Sequence, residues 1–237
     1  MNTHPQSSEF NNFPFNTTAY DHRILDDLHY SSKRNLLELT KLINRNYEYH
    51  SRILWVRIDL RYQSGVGKNI PIEIVQMHRE QLLADKRSHP GEFEDMLGYA
   101  WGLEYGEEEG YHYHLLAFYH GADRRGDIGI GLALRDLWYR ITNGYGQCYI
   151  SNFDKEKLKQ EGCLGIGMIE RDDTALRINL IEKVAAYITK KCTAFDIQSG
   201  RTESGDFRTF GKSRMPKPLD PNVPRRGRPP APNGLGW

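Results

Sequence analysis

GYHYHLLAFYHG (residues 110–121) places two histidines two positions apart within a run of aromatic and aliphatic residues. Such a run predicts a buried strand, and side chains at positions i and i+2 of a strand point to the same face of the sheet. His112 and His114 therefore share one face, while Tyr111, Tyr113 and Leu115 fill the other. Neutral imidazole is a common ligand of divalent metals, so the strand carries half of a candidate metal site.

A third ligand is expected from the strand before this one. FEDMLGYAWGLEYG (residues 93–106) is also strand-like, and the acidic, Gly-bounded link after it predicts an antiparallel hairpin. If the hairpin is centred near Glu108, Glu104 lies opposite His112 and completes a His, His, Glu set. The glutamates of the link compete with Glu104 for this role. The alternative is that both histidines are hydrogen-bonded structural residues.

The remaining hydrophobic patterns alternate between strands and helices. Pro71 begins a helix with Ile74, Met77 and Leu82 on one stripe, and Asp172 or Asp173 caps the strongest helix of the chain. The predicted elements are one or two helices within 18–50, a strand at 52–62, a helix from 71, a helix at 128–142, a strand at 146–153 and a helix at 172–195.

Composition places the chain among ordinary soluble proteins. It has 237 residues, of which 38% are hydrophobic and 11% aromatic, and no apolar run approaches the about 20 residues of a membrane helix. The first twenty residues lack the features of a signal peptide. The three cysteines are too few and too far apart for a disulfide framework, which fits a reducing compartment. We therefore expect a cytoplasmic protein without a membrane partner.

Basic residues concentrate at the C-terminal end. Residues 201–237 contain eight Lys or Arg and three Asp or Glu, although the net charge of the chain is only +1. The Pro- and Gly-rich end predicts disorder. Within it, RRGRPP (residues 225–230) resembles short elements that insert Arg side chains into A/T-rich minor grooves, so Arg226 and Arg228 are candidate DNA ligands. The alternative is a solvated tail that only aids solubility.

A second candidate site lies on the strongest predicted helix. KVAAYITKK (residues 183–191) contains Tyr187 and, three residues later, Lys190, a spacing that brings two side chains to neighbouring positions on a helix. A tyrosine hydroxyl is a weak nucleophile at neutral pH and needs a metal or a cation to stabilise the charge that develops in its reaction. Each residue alone is more often structural, so their interest lies in the combination with the strand-borne histidines.

The order of five motifs carries a resemblance to a known family. VRIDLR, WGLE, YHYHLLAF, AAYITKK and FRTFGKSR, spread over about residues 50 to 215, resemble the HUH endonuclease superfamily of rolling-circle replication initiators. Within it, the chain is most similar to the YagK/YfjJ C-terminal-domain family, related to inovirus-type replication proteins. This resemblance implies an α+β fold, with a central antiparallel sheet flanked by helices in an RRM-like palm.

The resemblance also implies an organisation and a chemistry. We expect a disordered N-terminus (1–17), an N-terminal helical segment (18–50), an HUH-type nuclease domain (51–215) and a disordered basic tail (216–237). His112, His114 and Glu104 match the ligands of Mg²⁺ or Mn²⁺, Tyr187 matches the nucleophile that nicks one DNA strand, and Lys190 matches the basic residue of its motif. The implied product is a 5′-phosphotyrosine with a free 3′ hydroxyl, made on single-stranded or hairpin DNA. A host helicase and polymerase are the further partners implied.

The segment after the tyrosine helix supplies basic residues for the DNA backbone. Arg208, Lys212 and Arg214 are expected at a turn that contains Gly211, where they can contact phosphates without reading sequence. The alternative is a basic turn with no ligand. For the whole protein, the alternatives to a phage, prophage or plasmid nickase are a non-catalytic DNA-binding regulator of a mobile element and, more remotely, a simple metallohydrolase. Asp59, in the first motif, either orients a metal ligand, contacts DNA or has a structural role.

Overall fold

The computed structural model describes residues 30–84, 90–106, 109–190 and 208–217. Its elements, in chain order, are α1 (Tyr30–Tyr49), β1 (Arg52–Tyr62), α2 (Ile72–Ala84), the short α3 (Pro90–Phe93), β2 (Met96–Gly106), β3 (Gly110–His120), α4 (Asp127–Ile141), β4 (Gly146–Ile150), α5 (Lys155–Gln160), β5 (Gly167–Glu170), α6 (174–189) and β6 (Phe210–Lys212). The expected α+β fold, an antiparallel sheet flanked by helices, is confirmed.

The described strands form one six-stranded antiparallel sheet. Its order is β4-β1-β3-β2-β6, and β5 pairs with the same edge of β1 that β4 uses. β5 pairs with Arg52–Trp55 of β1, and β4 pairs with Ile58–Tyr62. The predicted hairpin is present as β2 and β3, in the predicted register, with Glu104 opposite His112.

The two faces of the sheet are covered differently. One face packs on α2 and α4 and is apolar along its whole length, because alternate residues of β1, β2 and β3 are large and hydrophobic. The opposite face packs on α1 and α6, and it is apolar only at one end, around Trp55, Leu116 and Phe118. At its other end the same strands carry charged and polar side chains, namely Arg57, Asp59, Arg61, Glu104, His112 and His114. The candidate site lies at this polar end.

A buried asparagine fills the gap where β1 changes partner. Between the parts of β1 that pair with β5 and with β4, the Asn152 side chain accepts a hydrogen bond from the Arg57 amide and donates one to the Trp55 carbonyl, both at 2.9 Å. Asn152 also donates to Asp127 of α4 at 2.8 Å. The side-chain amide thus supplies the hydrogen bonds that a neighbouring strand would make, and it holds the backbone of Arg57 in place.

α6 is not a uniform helix. It is α-helical over Thr174–Asn179, π-helical over Leu180–Ala185 and α-helical again over Ala186–Thr189. The Asp173 carboxylate caps it by accepting from the Leu176 amide at 3.0 Å, as predicted for this position. The predicted helix to residue 195 is too long, because the backbone leaves the helical conformation at Lys190, with φ −54° and ψ 145°. π-helical turns often lie next to functional residues.

Three further expectations need correction. Of the predicted stripe of α2, Leu82 is buried, but Ile74 and Met77 are exposed, and the helix buries Ile72, Val75 and His78 in their place. The strand predicted at 146–153 ends at Ile150, and a 3₁₀ turn follows. Gly211 lies in β6, not in a turn, since β6 adds an edge strand to β2. The N-terminus 1–17 and the tail from residue 218 onward lie outside the described residues. Among the helices that the structure describes, none is both long and apolar enough to cross a bilayer.

Candidate metal and tyrosine site

Glu104, His112 and His114 meet on the polar end of the sheet, as the hairpin register predicts. One ligand atom from each side chain can be chosen so that all three lie within 4.8 Å of one another. The Glu104 Oε2 atom is 2.7 Å from His114 Nε2 and 3.8 Å from His112 Nε2. Both histidines are buried and the carboxylate is partly exposed. These three side chains can hold a metal ion.

The far nitrogen of each imidazole is held by a protein oxygen. His112 Nδ1 donates to the Gly110 carbonyl at 3.2 Å, and His114 Nδ1 donates to Asp59 Oδ1 at 2.7 Å. Both Nε2 atoms are therefore directed to the site, the arrangement in which carboxylates and carbonyls usually orient metal-binding histidines. Gly110 has a φ of +73°, and a Cβ there would lie 2.3 Å from the Gly67 carbonyl oxygen, so only glycine fits at this position.

The charges around the triad are strongly coupled. Burial by itself lowers the pKa of His114, but its hydrogen bonds to Asp59 and Glu104 outweigh burial and raise it above its usual range. The hydrogen bond from His114, with help from Lys190, lowers the pKa of Glu104 to about 2. Burial lowers the pKa of His112. A metal ion bound by His114 would need its Nε2 atom without a proton, so metal binding would compete with protonation of this imidazole.

Tyr187 and Lys190 lie against the triad. The Tyr187 ring is 4.8 Å from the His114 ring, edge to face, and the Lys190 Nζ atom is 3.9 Å from the centre of the Tyr187 ring. Lys190 also forms an ion pair with Glu104 Oε1 at 3.2 Å. Burial lowers the pKa of Lys190, but Glu104 and Tyr187 outweigh burial and raise it, so the ammonium stays charged. Although Lys190 has left the helix, its side chain still reaches the tyrosine.

A glycine on β2 allows the end of α6 to approach the sheet. A Cβ at Gly102 would lie 2.2 Å from the carbonyl oxygen of Ile188, the residue after Tyr187. Because the clashing atom belongs to the backbone, no side-chain rotation could relieve this contact. Gly102 is therefore the reason that Tyr187 and Lys190 can stand next to Glu104, two residues along the same strand. Its place in the WGLE motif gave no sign of this role in the sequence.

Two residues of the VRIDLR motif complete the site. Asp59 accepts a hydrogen bond from His114 Nδ1 at 2.7 Å, a contact that fits the first of the three roles left open by the sequence, the orientation of a metal ligand. Hydrogen bonding and charge from His114, together with Arg57 and Arg61, outweigh the effect of burial and lower the pKa of Asp59. Arg57, which the sequence did not single out, places its guanidinium carbon 4.4 Å from the centre of the Tyr187 ring. The sequence did contain a signal for this, because Arg57 and Asp59 are two positions apart on a predicted strand and so lie on the same face.

The predicted DNA-binding residues occupy different places. Lys212 lies in β6 and forms an ion pair with Glu38 of α1, at 3.7 Å. Arg208 and Arg214 are exposed on either side of β6. The hydrogen bond from the Leu103 amide to the Thr209 carbonyl, at 2.8 Å, continues the β2–β6 register and brings Arg208 level with Glu104. Arg226 and Arg228 lie outside the described residues.

Comparison with known proteins identifies the family. The sequence-family model of the YagK/YfjJ C-terminal domain matches residues 16–144, which is more than half of the chain, so the protein belongs to this family. The matched region contains Glu104, His112 and His114 but ends before Tyr187 and Lys190. The matched region, 16–144, begins and ends earlier in the chain than the region that contains the five motifs, which extends from about residue 50 to 215. Neither a curated protein nor a solved structure matches the chain.

Proposed function

We propose that this protein is an HUH-type, metal-dependent nickase that cuts single-stranded or hairpin DNA and initiates rolling-circle replication of a phage, prophage or plasmid. The observation that carries the proposal is the contact of the Tyr187 ring with His114 of the triad, with Lys190 beside both. A DNA-binding regulator would need neither a metal triad nor a tyrosine placed against it. The proposal assigns the protein to the cytoplasm and makes a host helicase and polymerase its partners.

The donor set favours a particular kind of ion. Glu104, His112 and His114 would hold it, and a mixture of imidazole and carboxylate suits Mn²⁺ better than Mg²⁺, which prefers oxygen ligands alone. When bound, the ion would act as a Lewis acid and stabilise the charge that develops on the phosphate. The partly exposed Glu104 leaves the site accessible to a substrate from outside, whereas the buried histidines hold the ligand geometry fixed.

The covalent step uses Tyr187 as the nucleophile. Its Oη atom forms a bond to phosphorus, and the bond from phosphorus to the 3′ oxygen breaks, with the electron pair leaving on that oxygen. The phenolic proton passes to water as the new bond forms, and the leaving oxygen takes up a proton from water, which gives the 3′ hydroxyl. Lys190 stays charged next to the tyrosine and offsets negative charge in the transition state. The strand remains linked to the protein through phosphotyrosine.

The test is the formation of a covalent adduct. The protein is incubated with Mn²⁺ and labelled single strands, including hairpins with randomised loops, and a protein–DNA adduct is sought on a denaturing gel. We expect an adduct with the wild-type protein and none with Tyr187→Phe. Tyr139→Phe is the matched control, because Tyr139 is an exposed residue of α4, on the opposite side of the sheet. The same result for wild type and Tyr187→Phe, whether adduct or none, would refute the nickase.

A further inference from the structure

Arg57 is a charged residue in an unusual position. It lies on β1, its side chain is 19% exposed, and its guanidinium stacks on the ring of Tyr187. Its backbone amide is held by Asn152, so the start of the side chain is fixed independently of strand pairing. The guanidinium is thus largely removed from solvent and lies against the tyrosine ring.

The hydrogen-bonding capacity of Arg57 is largely unused. Its carboxylate neighbour, Asp59 Oδ1, is 3.7 Å from Nη2 and is already engaged by His114 at 2.7 Å. Within the described part of the chain, the Nε atom of Arg57 is buried and has no hydrogen-bond partner. Arg61 on the same face also has a buried Nε atom without a partner among the described residues, but its Nη1 atom pairs with Glu109 at 2.7 Å. The Nη2 atom of Arg79, which lies over Trp101, pairs with Glu80 at 2.8 Å.

Burying a guanidinium whose donors are unpaired is unfavourable, so an ordered water or an anionic ligand that supplied the missing acceptors would bind there favourably. The ligand must be an anion with several acceptor oxygens, because the fork of guanidinium N–H groups matches that geometry. The guanidinium lies against Tyr187, and the group that the proposed nucleophile attacks is a phosphate. We propose that Arg57 binds the phosphate that reacts with Tyr187 and keeps it bound after the nick. The reaction of this phosphate with Tyr187 rests on the proposed function, whereas the binding of a phosphate by Arg57 does not.

The role of Arg57 is distinct from that of Lys190. Lys190 is already paired with Glu104 at 3.2 Å and is a point charge, whereas Arg57 offers two or more directed donors. Arg57 forms and breaks no covalent bond. It would neutralise and orient the phosphate from β1, whereas Glu104 lies on β2. These two strands lie on opposite sides of β3 in the sheet. The site would thus contact the phosphate from strands on either side of β3.

The test measures phosphate binding without nicking. In the Tyr187→Phe protein the ring under Arg57 is kept but no covalent bond can form. A labelled oligonucleotide with a 5′ phosphate, which resembles the nicked product, is compared with the same strand ending in a 5′ hydroxyl, by fluorescence anisotropy in Mn²⁺. We expect about tenfold to hundredfold tighter binding of the phosphorylated strand, the range for charged hydrogen bonds. Adding Arg57→Gln should abolish this preference, and adding Arg57→Lys should restore part of it.

Controls separate this inference from the proposed function. Arg61→Gln, on the same strand and face, should weaken binding of both strands equally and leave the preference intact. Mn²⁺ binding and thermal unfolding check that each variant is folded. The inference is overturned if the Tyr187→Phe protein shows no preference for the 5′ phosphate, or if the preference survives Arg57→Gln. If the preference depends on Arg57 but the wild-type protein forms no adduct, the nickase fails and the phosphate site stands.

Discussion

Gly102→Ala tests whether the close approach of α6 to β2 places the tyrosine. The new Cβ would lie 2.2 Å from the Ile188 carbonyl oxygen, whereas ordinary van der Waals contact begins near 3.4 Å. The end of α6 must therefore move outward by roughly 1 Å, and it carries the neighbours of Ile188, Tyr187 and Lys190, with it. Such a movement would shift the backbone of Lys190 relative to Glu104, with which its side chain now pairs at 3.2 Å.

The expected losses can be given as magnitudes. Overpacking of this kind costs about 1–3 kcal/mol of unfolding free energy, measured by denaturant titration. A misplacement of about 1 Å at a reacting group can reduce a rate by about a hundredfold, so adduct formation should slow by that order. The NMR signal of the His114 ring should also shift, because the Tyr187 ring beside it moves. Mn²⁺ affinity should change less than the rate, since no ligand of the triad is on α6.

Gly129→Ala is the matched control for this substitution. Gly129 lies within α4, and a Cβ there would meet no atom within 4 Å. Since alanine is a better helix former than glycine, this variant should gain about 0.5–1 kcal/mol of stability and keep the wild-type rate. If Gly102→Ala has the stability, rate and His114 signal of the Gly129→Ala protein, then close packing at Gly102 does not position Tyr187.

Three other substitutions probe the surroundings of the site. Asn152→Ala leaves buried backbone groups of β1 without partners and should cost about 2–4 kcal/mol of unfolding free energy in denaturant titration; a cost below 1 kcal/mol would contradict its role. Asp59→Asn should weaken Mn²⁺ binding by about tenfold to a hundredfold in calorimetry, because His114 loses its charged orienting partner, and unchanged affinity would exclude that role. Burial, together with His120 and Arg171, lowers the pKa of His50 from 6.5 to about 4. Between these pH values the unfolded chain binds more protons than the folded protein, so the free energy of unfolding falls as the pH drops from 6.5 to 4. With solvent screening allowed for, His50→Gln should remove about 1–2 kcal/mol of this pH dependence, as measured by unfolding at pH 7 and pH 4.5, and an unchanged slope would show that His50 does not cause it.

The hairpin was predictable because its signals are local. Alternating residues, a glycine-bounded link and a short loop determine the register, and the register alone brings Glu104 opposite His112. The strand at 52–62 was predicted to the residue for the same reason. In these elements, pattern and tertiary structure agree.

Other parts depend on contacts between distant residues. The contact of Tyr187 with His114 joins residues 73 positions apart, and periodicity carries no information on that distance. The buried stripe of α2 was misassigned because Ile74 and Met77 are as hydrophobic as the residues that the sheet covers. β6 was missed because a three-residue edge strand is defined by its hydrogen bonds to β2, and its sequence has no strand pattern.

All three side chains of the triad come from one hairpin, so the triad depends on how β2 and β3 pair. A slip of one residue between β2 and β3 would turn Glu104 to the opposite side of the sheet and set Leu103 or Tyr105 across from His112. The slipped hairpin would offer only two of the three metal-binding side chains, so a cation would bind it more weakly. The cation would therefore stabilise the correct register by the difference in binding free energy. A metal ion held by the triad would therefore also favour the correct alignment of β2 and β3 when the hairpin forms.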